Sequence, residues 1–101
     1  MLLCMPKRTP SDETAAVASA FATWLRRRRE ERGMTQEQLA HQSGLSRNQI
    51  QNLENNRNNN ATGRSSANPS LDTILALESA LGLQLGELLL EVRRFMESPE
   101  R

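Results

Sequence analysis

Apolar residues along this chain recur at helical spacing, and no stretch alternates in the two-residue rhythm of a strand. Ser11, Asp12 and Glu13 read as a helix start, because a hydroxyl cap and early acids suit the positive end of the helix dipole. A long helix is predicted over about 12–32, with Val17, Phe21 and Leu25 on one face and Gly33 ending it. Thr35 to Gln38 is a capping-box pattern and opens a short helix over about 36–42, with Leu39 and Ala40 inward. Ser43-Gly44 makes a turn and Leu45 plugs the space between helices. A second capping box, Ser46 to Gln49, opens a helix over about 47–55 with Ile50 and Leu53 inward. Residues 55–69 are rich in Asn, Gly and Ser, lack an apolar pattern and predict a flexible loop. Asn68-Pro69-Ser70 stops that loop and caps a fourth helix over about 71–81, with Leu71, Ile74, Leu77 and Leu81 inward. A fifth helix, over about 85–97, carries Leu85, Leu88, Leu89, Val92, Phe95 and Met96. Residues 1–10 have no periodicity and predict a disordered segment ahead of one domain spanning 11–97. The expected class is all-α, with five helices.

Two short helices joined by a glycine-containing turn are the core of a helix-turn-helix. The outer face of the second, Arg47, Asn48, Gln51, Asn52 and Asn55, consists of hydrogen-bonding residues. Arginine can bond guanine through two hydrogen bonds, and asparagine can do the same to adenine. A solvated helix without a binding task usually mixes Glu and Lys, whereas this face has no acid before Glu54. That composition suits a face that meets a polyanion.

Charge and composition sharpen the picture only in part. The formal net charge is +1, but residues 1–57 hold nine Lys/Arg against six Asp/Glu and residues 58–101 hold four against six. The basic end can face phosphates while the acidic end faces away. The run Arg26-Arg27-Arg28-Arg29 steps around the helix, so its members cannot share one patch, and Glu30 and Glu31 are available as i,i+4 partners; direct DNA contact by Arg26 or Arg27 is the alternative reading. In 101 residues only Phe21, Trp24 and Phe95 are aromatic. So small a core predicts help from a partner subunit. Cys4 and His41 each stand alone, so no disulfide, metal site or nucleophile–base pair is expected, and neither is a cofactor or enzymatic activity. The absence of an apolar run of about 18 residues predicts no membrane span, and the expected location is cytoplasmic, at the nucleoid when bound to DNA.

The stretch Leu25 to Ala40, with Arg29, Gly33, Thr35, Gln36 and Leu39, is followed by Ser43-Gly44-Leu45-Ser46, Ile50, Leu53-Glu54-Asn55 and Asn68-Pro69-Ser70-Leu71-Asp72-Thr73. Together these resemble the Xre/Cro family of lambdoid repressor-type helix-turn-helix proteins over about residues 21–90. The resemblance implies a five-helix, lambda-repressor-like DNA-binding domain, with 36–42 as the positioning helix and 47–55 as the recognition helix in the major groove. By position it implies base reading by Arg47, Asn48 and Asn52. It also implies phosphate contacts by Gln36, Gln49 and Asn55, and a structural salt bridge between Arg29 and Glu54. Gln51, on the same outer face, is assigned to phosphate.

The chain departs from the family pattern in four places. Arg28 stands where an apolar residue is usual, which predicts a stem along the core and a guanidinium at its edge, near a phosphate. Trp24 stands where a polar residue is usual, which predicts an exposed indole packed on the N-terminal extension or on a partner. The first helix starts early. The loop between helices three and four is long and contains Arg57 and Arg64, which would contact phosphates if the loop orders on DNA; otherwise the loop is a linker.

The fifth helix is apolar over too wide an arc for a closing helix, which predicts a dimer interface of Leu88, Leu89, Val92, Phe95 and Met96, with the long first helix as competitor. The partners expected are therefore double-stranded DNA and a second copy of the chain, binding an inverted repeat, most simply as a repressor. Phage-type repressors, antitoxins that repress their own operon and controllers of restriction systems all fit so small an architecture. A different class of function, a module whose main task is to bind and neutralise a small partner protein, would use Trp24 and the apolar surplus of residues 85–96.

Overall fold

Five helices form in the order that the apolar spacing dictates: α1 (Pro10–Glu31), α2 (Gln36–Ser43), α3 (Arg47–Glu54), α4 (Leu71–Ala80) and α5 (Glu87–Glu97). The computed structural model describes residues 10–56 and 69–97, and no strand occurs among them. The expectations for 1–9 and 57–68, including those for Arg57 and Arg64, lie outside the described residues. The first helix begins at Pro10, two residues ahead of the expected start. Proline suits an initial helical position, where its fixed φ is already helical and its missing N–H is not needed.

Both capping boxes form. Thr35 and Gln38 exchange side-chain and backbone bonds of 3.0 and 2.8 Å at the start of α2, and Ser46 and Gln49 do the same at the start of α3. Between them, Gly44 adopts φ 80°, which lets its N–H and that of Leu45 both close on the Ala40 carbonyl. The chain thus reverses in a few residues and sets α3 across α2.

The long α1 packs on α3 and on α5, α2 packs on α3 and α4, and α4 packs on α5. Leu25, Leu39, Ile50, Leu77, Leu81, Leu88 and Val92 are fully buried where these contacts meet. Burying each contributes roughly 1.5–3 kcal/mol. The buried face of α1 is wider than its four-residue repeat suggested, taking in Ala18, Ala22 and Trp24 beside Phe21 and Leu25.

Several expected positions are corrected. Leu71 is exposed rather than inward, because it is the first residue of α4, and Leu85, expected at the start of the fifth helix, is exposed and precedes α5. Trp24 is buried, not exposed: its ring lies 6.2 Å from that of Phe21, and its Nε1 donates to Glu91 Oε1 at 3.2 Å. Arg28 does lay its charge at the edge of the core, but its Nη2 donates to Glu91 Oε2 at 3.0 Å, which turns it toward α5 rather than α3. Leu88 and Val92 fill the core of their own protomer and cannot belong to a dimer surface. Glu78, which sequence reasoning passed over, is buried in α4 and accepts the Leu88 N–H at 3.0 Å, satisfying an otherwise unpaired amide at the start of α5.

The expected Arg29–Glu54 pair is present and buried. Arg29 Nε and Nη2 donate to the two carboxylate oxygens at 2.6 and 3.0 Å, and Nη1 donates to the Met34 carbonyl at 2.7 Å. The hydrogen bond to Glu54 raises the Arg29 pKa further above its ordinary value, against the opposing effect of burial, so Arg29 stays charged. Removing one partner of such a pair strands a buried charge. Glu54→Ala should therefore lower stability by about 3–5 kcal/mol, as measured by chemical unfolding. An unchanged unfolding midpoint would refute the pair's structural role.

Candidate nucleic-acid interface

The outward face of α3 follows from what its other face buries. Ile50, Leu53 and Glu54 point inward, which leaves Arg47, Asn48 and Gln49 exposed and Gln51 and Asn52 half-buried. The helix contains a single carboxylate, Glu54, and the Arg29 pair holds it inside. What remains outside is one cation and a set of amides, able to donate and accept but carrying no negative charge. Such a face presents little repulsion to a duplex and has the groups that read base edges in the major groove.

The residues assigned to phosphates are oriented by bonds within the protein. Gln49 spends its Oε1 on the Ser46 N–H at 2.8 Å, which leaves its amide nitrogen as the outward donor. Gln36, at the first position of α2, donates from Nε2 to Glu54 Oε1 at 3.0 Å. Its amide is thus tied to the last turn of α3, with a second N–H remaining for a phosphate. Asn55, the C-cap of α3, is exposed and accepts from Arg26 Nη2 at 3.1 Å. Gln36 therefore bonds the Glu54 carboxylate directly, and Asn55 is linked to it through Arg26.

The four consecutive arginines turn in different directions, as their step around α1 requires, although Arg26 and Arg29, one turn apart, both reach Glu54. Arg26 reaches Asn55 and Glu54, and the guanidinium of Arg27 lies 5.2 Å from the centre of the Phe95 ring. Arg28 pairs with Glu91, and at 3.7 Å with Glu31, while Arg29 is buried against Glu54. Arg26, Arg28 and Arg29 thus take partners on α3 and α5, while Arg28 also keeps Glu31 within α1. Arg26 is the residue of this region that sequence reasoning undervalued, because its partners come from another helix.

The other side of the molecule is apolar in patches. On α5, Leu89, Leu90 and Met96 are exposed and Phe95 is half-buried. A groove of about 700 Å3 between α1 and α5 has Ala16, Val17, Leu89 and Met96 in its lining, together with Glu13 and Arg93. Among the described residues no cluster of His, Cys, Asp and Glu could hold a metal ion. No helix among them is long and apolar enough to cross a membrane.

A helix-turn-helix family model (HTH_3) matches residues 25–88, more than half of the chain. Among solved structures, the restriction-modification controller protein C.AhdI from Aeromonas hydrophila is 36% identical, with 72% of this chain and 97% of that chain covered and a TM-score of 0.58. The wild-type restriction-modification controller protein C.Esp1396I is 23% identical, with 81% and 95% covered and a TM-score of 0.65, a likeness that speaks to the fold. No curated protein matches the chain. A family match over both capping boxes, the turn and the buried Arg29–Glu54 pair means that this chain belongs to the Xre-type helix-turn-helix family of DNA-binding transcription regulators.

Proposed function

We propose that the chain works as a homodimer that sets two copies of α3 in successive major grooves of an inverted-repeat operator. The observation that carries this reading is the uncharged-to-basic outer face of α3, from which the one carboxylate of the helix has been withdrawn. Arg47, Asn48 and Asn52 read bases, while Gln36, Gln49, Gln51 and Asn55 fix the register on phosphates. One such helix makes few base contacts, and a two-fold pair placing two of them about 34 Å apart multiplies both affinity and specificity. The exposed Leu89, Leu90 and Met96 on α5 supply a self-complementary apolar surface for that pairing. Phe95 borders it, while Leu88 and Val92 support it from within.

The regulatory role proposed is control of a restriction-modification system. This rests on the 36% identity to C.AhdI across nearly the whole of that protein. It is favoured over a phage-type repressor or an antitoxin. The activity is binding, with no chemical step: occupancy of an operator that overlaps a promoter, in the compartment that holds the DNA. A module devoted to a partner protein is less well supported, since Trp24, which would have anchored it, is buried.

Selection from random duplexes at near-physiological salt should enrich an inverted repeat; binding to all duplexes alike would refute operator recognition. Arg47→Ala should cost about 1–3 kcal/mol on the selected site and relax preference at one base position in each half. An equal loss on random DNA would show that Arg47 meets phosphate instead. Leu89→Glu should halve the molar mass in solution and weaken operator binding while leaving helix content intact. A dimer that survives the substitution would move the interface away from α5.

A further inference from the structure

Arg26 and Arg29 stand one turn apart on α1, and both reach the same carboxylate. Glu54 can neutralise only one of them. Arg29 takes that role, with two short bonds to the carboxylate and a side chain only 11% exposed. Arg26 is the surplus cation. Its side chain is 50% exposed, and its Nε lies 3.6 Å from Glu54 Oε1, an oxygen already bonded by Arg29 Nη2 and Gln36 Nε2.

Its better contact is Nη2 to Asn55 Oδ1 at 3.1 Å. That bond has two effects. It holds the guanidinium at the C-terminal end of α3, and it turns the Asn55 amide so that its oxygen faces Arg26. The C-terminal end of a helix carries partial negative charge and would repel a phosphate unless a cation compensates. Arg26 is that cation, and its side chain, with five N–H donors, is half exposed.

We propose that Arg26 is a DNA phosphate contact. On this view α1 contributes a guanidinium to a cluster that also contains Asn55 from the end of α3 and Gln36 from the start of α2, gathered around Glu54. The ligand is the backbone phosphate of duplex DNA, which takes charge-assisted bonds from guanidinium and amide together. The contact adds affinity without sequence information. It rests on the reading of α3 as the recognition helix.

The test compares wild type, Arg26→Gln and Arg26→Lys on the selected operator and on a random duplex, across a range of salt, with thermal unfolding of each variant in parallel. Arg26→Gln should weaken binding to both duplexes by similar factors, leave base preference unchanged, and make the plot of log affinity against log salt shallower by about 0.9 for each subunit bound. Arg26→Lys, which keeps the charge, should retain the wild-type slope. A merely structural residue would lower the melting temperature and leave the slope alone. A wild-type slope in Arg26→Gln, or a changed base preference, overturns the proposal while leaving the recognition-helix reading intact. Wild-type protein that binds no duplex overturns both.

Discussion

One carboxylate organises the half of this protein that contains α3. Glu54 ends α3, is buried, and accepts from Arg29 of α1 and Gln36 of α2, with Arg26 at its outer side. A buried charge is costly unless its lone pairs are satisfied, so only an arrangement that brings these groups together tolerates Glu54 inside. The carboxylate thereby fixes the position of α3 against α1 and α2. It also removes the single negative charge of α3 from its outer face, the one proposed to meet DNA. Stability and electrostatic fitness for DNA follow from the same contact.

A second carboxylate joins the far side. Glu91 of α5 accepts from the Trp24 indole and the Arg28 guanidinium of α1, and Glu78 caps α5 through the Leu88 amide. Both residues that depart from the family pattern on α1, Trp24 and Arg28, are absorbed by this one partner. The long α1 is therefore clamped along two faces, to α3 through Glu54 and to α5 through Glu91. The polar and cationic surface around α3 and the apolar surface of α5 are presented by one rigid spine. Such rigidity is what a dimer needs if the spacing of its two recognition helices is to be fixed.

The sequence alone determined what depends on local chemistry. Helix periodicity, the Thr35–Gln38 and Ser46–Gln49 capping boxes and the Gly44 turn act between residues a few positions apart, so helix order and most boundaries were legible, as was the outer face of α3. The family pattern supplied the Arg29–Glu54 pair, which local spacing could not. Tertiary packing decided what depends on residues far apart in the chain. It buried Trp24 and turned Arg28 to Glu91, 67 and 63 positions away, and it gave Glu78 a capping role. It also sorted the apolar residues of α5, drawing Leu88 and Val92 into the core and leaving Leu89, Leu90 and Met96 outside. A hydrophobic stripe says that a helix buries a face. Which side chains reach the core, and which cation stays half exposed at its edge, is fixed only when the neighbouring helices are in place.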